Sequence, residues 1–178
     1  EVAFKKAGVY QVVFTVRDDN GDTDSVNRIV SVIRSSWASV SGGWSHSAGL
    51  KTDGTLWAWG LNSYGQLGNG RAASCRTPVM VGKGTNWAKV TVGGAHTLAL
   101  ENDGALWAWG ANGTGQLGSG SSQHAYDPVR VMPGTRWKEI AAGKSHSLGI
   151  QADGSLWAWG RNAEGQLGNG TRTACNVP

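Results

Sequence analysis

The sequence predicts an all-β chain: a partial β-propeller of about three four-stranded antiparallel blades, preceded by strands that lie outside the repeat and that, as described below, resemble part of a β-sandwich. Three observations support this fold class. The sequence repeats itself with a period of 50 residues over most of its length. Gly supplies 28 of the 178 residues, roughly twice the usual 7%. Short apolar runs alternate with Gly-rich turns, while Glu and Lys, which favour helices, are few.

The composition also excludes several classes of protein. Ten Trp among many Val, Leu and Ile supply more apolar surface than a disordered chain carries. Gly does not recur at every third position, which excludes collagen. No run approaches the roughly 18 consecutive apolar residues of a membrane helix, so we expect no membrane span in this segment.

Residues 1–34 lie outside the repeat and form a separate predicted unit, with the propeller over 35–178. Two alternating apolar runs flank a polar loop at 18–24, which predicts a β-hairpin. Aspartates and one asparagine alternate along that loop as calcium ligands do, but Thr23 and Ile29 stand where an EF-hand needs Gly and Glu. A solvated hairpin tip is the main expectation and a looser calcium site is the alternative; the residues concerned are Asp18, Asn20, Asp22 and Asp24.

Three repeats, at about 37–86, 87–136 and 137–178, carry the same eight-residue core pattern, which reads DGTLWAWG in the first. We expect a type I′ hairpin turn at Asp53-Gly54 and a loop over the Gly-rich stretch Gly60–Gly70. Pro78 is expected to begin an outer strand, where no ladder donor is needed. The strands predicted in the first repeat are Trp37–Val40, His46–Lys51, Thr55–Gly60 and Pro78–Val81.

Four short strands in every 50 residues are typical of a propeller blade. Side chains alternate along a strand, so Trp57 and Trp59 share one face, and Leu56 and Ala58 share the other. One blade cannot bury both faces alone, so its neighbours must stack on it. We therefore expect the repeated Trp residues to fill the gaps between stacked sheets.

The repeated pattern W-x-x-V, G-x-x-H-[ST], D-G-x-L-W-x-W-G-x-N-x-x-G-Q-L-G-x-G resembles the regulator of chromosome condensation repeat. The resemblance implies a seven-bladed propeller. It also implies that the repeated His, Gly, Asn and Gln serve turns and hydrogen bonds within each blade. The structural signature comprises His46, His96, His146, Asp53, Asp103, Asp153, Trp57, Trp107, Trp157, Gln66, Gln116 and Gln166.

Residues 1–34 resemble the closing strands of a PKD domain, an immunoglobulin-like sandwich, through Gly8-Val9-Tyr10 and the alternating Val12, Phe14 and Val16. The resemblance implies a larger bacterial protein that is secreted or displayed on the cell surface. Three blades cannot close a ring. We therefore expect both ends to be cut from a longer chain, and the open blade edges would allow self-association.

The three repeated histidines raise the hypothesis of a metal site, but zinc needs its ligands within about 2.0–2.3 Å of one ion. Equivalent atoms of separate blades are too far apart for that unless they line the axis. We expect a buried, hydrogen-bonded His in each blade, with no metal and no cofactor. Ser45 and Ser47 beside His46 suggest a nucleophile and base, but the arrangement recurs as turns do, so no enzymatic activity is expected.

Cys75 and Cys175 lie two periods apart, in equivalent loops of the first and third repeats. Sheets packed roughly 10 Å apart would separate them by roughly 20 Å. A disulfide needs Cα atoms within about 7 Å. We predict no bond between them.

Binding specificity is expected where the copies differ, because loops on a rigid scaffold carry function. The candidate partner-binding residues are Trp44, Tyr64, Arg71, Arg76, Tyr126 and Lys144, of residue types that are enriched at interfaces. The chain has a net charge of +4. Its cations are scattered rather than clustered, so nucleic acid is not an expected partner.

These observations predict a non-enzymatic propeller module that binds a protein or a surface glycan through its inter-strand loops. Two alternatives stay open: a regulator that acts as an inhibitor of an extracellular enzyme or as an exchange-factor-like module, and a structural spacer. The segment Gly43-Trp44-Ser45-His46-Ser47 also resembles a motif of the plant UV-B photoreceptors in this family. Only one of the three copies has it, so light sensing is not expected.

Overall fold

The structure is a computed structural model that describes residues 8–17, 19–21, 23–32, 35–84 and 86–178. These residues form thirteen strands and no helix. None of them therefore provides a helix able to cross a membrane. The chain divides into two compact units, with the second beginning at Trp37.

The first unit contains a hairpin of β1 (Gly8–Arg17) and β2 (Thr23–Val32). The two strands pair antiparallel in unbroken register, from Gly8 with Val32 to Arg17 with Thr23. This confirms the predicted hairpin. Its apolar side chains are largely in solvent: Phe14 is 54% exposed and Ile29 is 77% exposed. Asp18 and Asp22 lie outside the described residues, so the calcium hypothesis stays a prediction.

The second unit is an open, unclosed propeller whose sheets are antiparallel blades, which confirms the predicted fold class. Blade one has the order β3-β4-β5-β6, and blade two has the order β7-β8-β9-β10. In blade three, β11-β12-β13 is followed by one bridge between Gly160 and Cys175. The strands are β3 (Trp37–Gly42), β4 (His46–Lys51), β5 (Leu56–Gly60), β6 (Cys75–Met80), β7 (Trp87–Val92), β8 (His96–Glu101), β9 (Leu106–Gly110), β10 (Ala125–Val131), β11 (Trp137–Ala142), β12 (His146–Gln151) and β13 (Leu156–Gly160).

The outer strand differs from its prediction. It begins at Cys75, so Pro78 lies inside the strand rather than at its start. The register between β5 and β6 shifts between Ala58 and Gly60, and blade two has the same irregularity next to Pro128. An edge strand with a bulge accepts a residue without an N–H because no ladder bond is lost there.

The predicted type I′ turn at Asp53-Gly54 is wrong. Gly54 has a φ of 78°, but Asp53 does not share a positive φ; Met132 is the one described residue other than Gly that has one. The Gly54 N–H donates to the Lys51 carbonyl at 3.0 Å. The result is a three-residue hairpin loop with Gly in the left-handed position. The Asp53 carboxylate accepts the Thr55 N–H at 3.0 Å and so holds the loop.

The core consists of two apolar clusters, each lying between neighbouring blades. In the first cluster, Leu56 and Ala58 of blade one pack with Trp87 and Trp109 of blade two. In the second, Leu106 of blade two and its neighbours pack with Trp137 and Trp159 of blade three. Leu and Ala therefore face the following blade, while Trp faces the preceding one, as the strand alternation predicts.

Burial of a repeated residue depends on whether its neighbouring blade is present. Leu56 and Leu106 are fully buried, whereas their equivalent in blade three, Leu156, is 69% exposed. On the opposite side, Val40 of blade one is 73% exposed. Blades one and three thus each present one open apolar face.

This geometry predicts unequal effects for the same substitution in two blades. Trp109 is fully buried and its indole N–H donates to the Gln66 carbonyl at 3.0 Å. Trp109→Ala should lower the free energy of unfolding by about 3–5 kcal/mol. Trp59→Ala removes the equivalent side chain from the open face and should cost clearly less. Urea denaturation of both variants measures the difference, and equal losses would contradict the blade-to-blade account of the core.

Candidate functional site

The loops that carry the candidate residues Trp44, Tyr64, Arg71 and Lys144 lie at one edge of the propeller. Successive strands of a blade run in opposite directions, so the connections after the first and third strands of each blade meet at the same edge. In blade one, the Leu61 N–H donates to the Ser45 carbonyl at 2.8 Å, and the same bond recurs in the other two blades. We call this surface the loop face; it comprises residues 43–45, 61–74, 93–95, 111–124, 143–145 and 161–174.

A buried asparagine shapes each long loop of the loop face. The Asn62 side-chain N–H groups donate to the Arg71 carbonyl at 2.8 Å and the Ala73 carbonyl at 3.1 Å. Its Oδ1 accepts the Leu67 N–H at 2.9 Å. One side chain therefore holds both ends of a loop of about ten residues. Asn112 and Asn162 make corresponding bonds in blades two and three.

The backbone carbonyl of Gln66 joins blade one to blade two. It accepts the Trp109 indole N–H at 3.0 Å and the Thr97 hydroxyl at 2.9 Å. Gly68 allows this approach, because it has a φ of 65° and a Cβ there would lie 2.7 Å from the Trp109 Nε1 atom. The Gln116 carbonyl joins blades two and three in the same way.

The repeated histidines also bond to the following blade. The Thr97 hydroxyl gives its hydrogen to Gln66, so it must accept the hydrogen of His46 Nε2, which lies 2.9 Å away. His46 therefore carries a proton on Nε2. His96 bonds Ser147 of blade three in the same manner at 3.0 Å. The expectation that His bonds within its own blade is wrong, because the partner of the His ring lies one blade further on. For Gln the expectation is confirmed: the Gln66 side-chain Oε1 accepts the Tyr64 N–H within blade one at 2.9 Å, although the Gln66 backbone carbonyl bonds to the following blade.

The histidines have a structural role in this geometry. His46 Nε2 and His96 Nε2 each point to a hydroxyl of the next blade, and no group of three metal-ligating side chains occurs among the described residues. The contact between Ser147 and His96 resembles, when considered by itself, the nucleophile and base of a catalytic pair. Its hydroxyl, however, is fully buried and donates to the Gln116 carbonyl at 2.7 Å, so it is not available as a nucleophile.

Burial keeps these histidines uncharged. Loss of solvation lowers the pKa of His46 to about 4. For His96, burial and then the neighbouring His46 and His146 lower the pKa to about 3. Both rings carry an Nδ1 atom with no hydrogen-bond partner among the described residues. A second proton would thus be placed on a buried nitrogen that nothing there stabilises.

Two of the predicted partner-binding residues meet at the inner end of the loop face. The Lys144 ammonium lies 4.0 Å from the centre of the Trp44 ring, which is a cation–π contact between blades three and one. Gly94 is the equivalent residue of blade two, and a Cβ there would lie 2.5 Å from the backbone carbonyl oxygen of Lys144. The absence of a side chain at Gly94 therefore allows the backbone of the Lys144 loop to pack closely against blade two. Trp44 is 72% exposed and borders a cleft of about 290 Å³ with these residues.

The other predicted residues lie further from the axis. The Tyr64 ring packs edge-on against His124, with centroids 4.9 Å apart. Tyr126 lies beside the same loop, where its carbonyl accepts the Gly70 N–H at 3.0 Å. Arg71 and Arg76 are exposed. The structure thus joins Trp44 to Lys144 and places Tyr64 near Tyr126, but shows no contact between these two groups.

Sequence reasoning missed His124 and the hydroxyls of Thr97 and Ser147. The hydroxyl position was visible as the [ST] of the repeated G-x-x-H-[ST] pattern. Its partner was not visible, because the His that it serves belongs to the preceding repeat. Cys75 and Cys175 are both free, as predicted.

The loop face and the residues beside it carry a net positive charge. Five cations lie there against two carboxylates, in a chain of net charge +4. Arg161 lies 3.6 Å from Glu164, so part of this charge is locally balanced. The cations are Arg71, Arg76, Lys144, Arg161 and Arg172, and the carboxylates are Asp127 and Glu164.

The repeat geometry agrees with the result of comparing the sequence with known families. The model of the regulator of chromosome condensation (RCC1) repeat matches residues 53–100 and 103–150. A second model of the same repeat matches 37–66, 87–116 and 137–166. The chain belongs to the RCC1 repeat family.

RCC1-like proteins of known structure share the fold. Human WBSCR16 is 27% identical with a TM-score of 0.71, over 81% of this chain and 39% of that one. Prp20p from Saccharomyces cerevisiae is 20% identical with a TM-score of 0.72, over 99% of this chain and 51% of that one, which shows the fold alone. The ultraviolet-B receptor UVR8 of Arabidopsis thaliana is 45% identical over 42 residues, which are 24% of this chain and 10% of that receptor. The chain thus spans about half the length of these relatives or less.

The buried histidines of the RCC1 blades predict that acid weakens the propeller. An unfolded histidine takes up a proton near pH 6.5, but folded His46 does so only at about 4 and folded His96 at about 3. The contribution of the neutral rings to the free energy of unfolding is therefore fully present above pH 6.5, and it decreases as the pH falls below 6.5. The loss should approach about 1.4 kcal/mol per pH unit for each histidine.

Urea denaturation between pH 6.5 and 5 measures this slope above the range in which most carboxylates titrate. His96→Gln keeps an N–H donor but cannot titrate, so the slope should fall by about half. Trp59→Ala retains both histidines and serves as the control with an unchanged slope. An equal slope in all three proteins would contradict the assignment.

Proposed function

We propose that this chain is a non-enzymatic module that binds another protein through its loop face. The observation that carries the proposal is that the repeated residues are structural, whereas the variable residues are exposed. The shared His, Gln and Trp hold blades together through bonds such as that from Trp109 to Gln66. The shared Asn holds each long loop within its own blade. The variable residues, such as Trp44 and Arg71, are exposed on the loop face.

The loop face has the chemistry of a protein-binding surface. Trp44 presents a large exposed aromatic ring beside the Lys144 ammonium, and Trp, Tyr and Arg dominate the binding energy of many interfaces. Five cations against two carboxylates favour a partner with an acidic surface. Trp44 is thus the proposed anchor, with Arg71 contributing charge at the rim.

Structures of relatives support the class of function. The crystal structure of Prp20p has been determined together with its binding properties to Gsp1p and histones. Yeast RCC1 (Prp20) has also been solved bound to Kap60; it is 28% identical with a TM-score of 0.61, over 76% of this chain and 32% of that one. Those partners belong to those proteins. They support protein binding as the general activity of such propellers, without identifying the partner here.

We further propose that the hairpin β1–β2 is part of a PKD-like sandwich in a secreted or surface-displayed bacterial protein. A two-stranded hairpin is marginally stable alone. Phe14 and Val26 pair across the two strands, and both are about half exposed. Apolar side chains at these positions would be covered by further strands of a sandwich.

Site-specific cross-linking tests the loop face. A photo-reactive phenylalanine analogue placed at Trp44 should capture a protein from an extract of the source organism. The same group at Lys83, an exposed residue at the opposite edge of the propeller, should not capture it. Capture from both positions, or from neither, would contradict the assignment.

Affinity for the captured protein then tests the residues. Trp44→Ala with Arg71→Ala should weaken binding by at least tenfold without lowering the melting temperature, because both side chains are exposed. Lys83→Ala is the matched control with unchanged binding. Unchanged affinity in the double variant would reject the site. A glycan ligand without any protein partner would instead favour the surface-glycan alternative, and no ligand at all would favour a spacer.

A further inference from the structure

The two junctions between blades differ at one place on the loop face. At the first junction, the Tyr64 ring of blade one packs against the His124 ring of blade two. At the second junction, the equivalent residues are Thr114 and Ala174, which have no rings. A cleft of about 340 Å³ is found there instead. Its lining residues are Gly113, Thr114, Gly115, Ser122, Ala174 and Asn176.

The backbones of the two junctions match closely. The Gly70 N–H donates to the Tyr126 carbonyl at 3.0 Å, and the Gly120 N–H donates to the Asn176 carbonyl at 2.9 Å. A Cβ on Gly65 or on Gly115 would lie 2.5 Å from the facing Cα in either case. The blades are therefore equally close at both junctions. The cleft exists because several lining side chains are smaller than their equivalents at the first junction, not because the blades have moved apart. The largest reductions are Thr114 for Tyr64, Ala174 for His124 and Asn176 for Tyr126.

The cleft combines polar and apolar surface. The Thr114 hydroxyl donates to Gln116 Oε1 at 2.8 Å, so it is already satisfied. The Asn176 Nδ2 atom donates to the Gly120 carbonyl at 3.1 Å. That bond leaves Asn176 Oδ1 without a hydrogen-bond partner among the described residues, in a lining that otherwise consists of Gly, Ala, Ser and Thr. Such a site suits a ring that carries one hydroxyl donor.

We propose that this cleft binds a tyrosine side chain of the partner protein. The inference rests on the proposed function and identifies the chemistry of one contact. The occupant is argued from the chain itself, because the first junction fills the equivalent space with its own Tyr64. The tyrosine ring would lie between the loops of blades two and three, and its hydroxyl would donate to Asn176 Oδ1. At the first junction a side chain of the chain itself occupies this space, whereas at the second junction the space is open to a ligand.

N-acetyl-tyrosinamide is a suitable probe, because it carries the side chain and little else. We expect saturable shifts of the Gly115 and Ser122 amide resonances, with a dissociation constant in the millimolar range that is ordinary for one side chain. N-acetyl-alaninamide should produce none at the same concentration. Absent shifts, or equal shifts with the alanine compound, would overturn the proposal.

A reciprocal exchange between the junctions provides matched variants. Thr114→Tyr with Ala174→His fills the cleft as the first junction is filled, and should weaken probe binding at least tenfold. Tyr64→Thr, His124→Ala and Tyr126→Asn together give the first junction the side chains of Thr114, Ala174 and Asn176, and should create a new site there, seen at the Gly65 and Ala72 amides. A filled variant that folds and still binds the probe would overturn the proposal. If the filled variant does not fold, the opened variant decides, and no new shifts would overturn the proposal.

The cleft and the proposed function fail in different ways. Loss of probe binding with retained cross-linking at Trp44 would reject the cleft alone. Retained probe binding without any captured protein would reject the loop face as a protein-binding surface.

Discussion

The backbone carbonyl of Gln66 is the acceptor on which the propeller depends. It receives an indole N–H from Trp109 and a hydroxyl from Thr97, both in the following blade. The same hydroxyl accepts the His46 ring. One loop is thus bonded to two strands of its neighbour in a site from which water is excluded, where an unpaired polar group is costly. The Gln116 carbonyl makes the same two bonds to blade three, so each blade fixes the position of the following blade.

In this arrangement, the residues that stabilise the propeller are different from those available to bind a partner. Polar groups that join blades are buried and cannot vary without leaving a partner unpaired. The side chains on the loop face do not have to satisfy a buried hydrogen-bond partner in the next blade. The same repeat position can therefore be Trp44, Gly94 or Lys144. Their differences are complementary: Gly94 lets the Lys144 backbone pack closely against blade two, and the Lys144 ammonium contacts the Trp44 ring of blade one. The variable positions therefore form a surface rather than three unrelated loops.

The sequence predicted strands more successfully than it predicted hydrogen-bond partners. The strand His46–Lys51 has its predicted bounds, and Leu56–Gly60 begins one residue later than expected. Alternation alone assigned Trp and Leu to opposite faces. The turn type was wrong because Gly54 adopts a positive φ in a three-residue loop, which the Asp-Gly pair does not distinguish from a two-residue turn. The His partners were wrong because they lie 51 residues away.

The sequence by itself determined the blade, since periodicity, turn residues and side-chain alternation are local properties that each repeat carries in full. Only the tertiary structure decided what each repeated residue does. Leu56 is buried and Leu156 is exposed although their strands are identical, because only the first has a following blade in this chain. The pairing of Trp44 with Lys144, and the cleft beside Thr114, likewise arise between repeats. Such features depend on contacts between side chains of different repeats, and the sequence of a single repeat does not determine which residues of the neighbouring repeat it contacts.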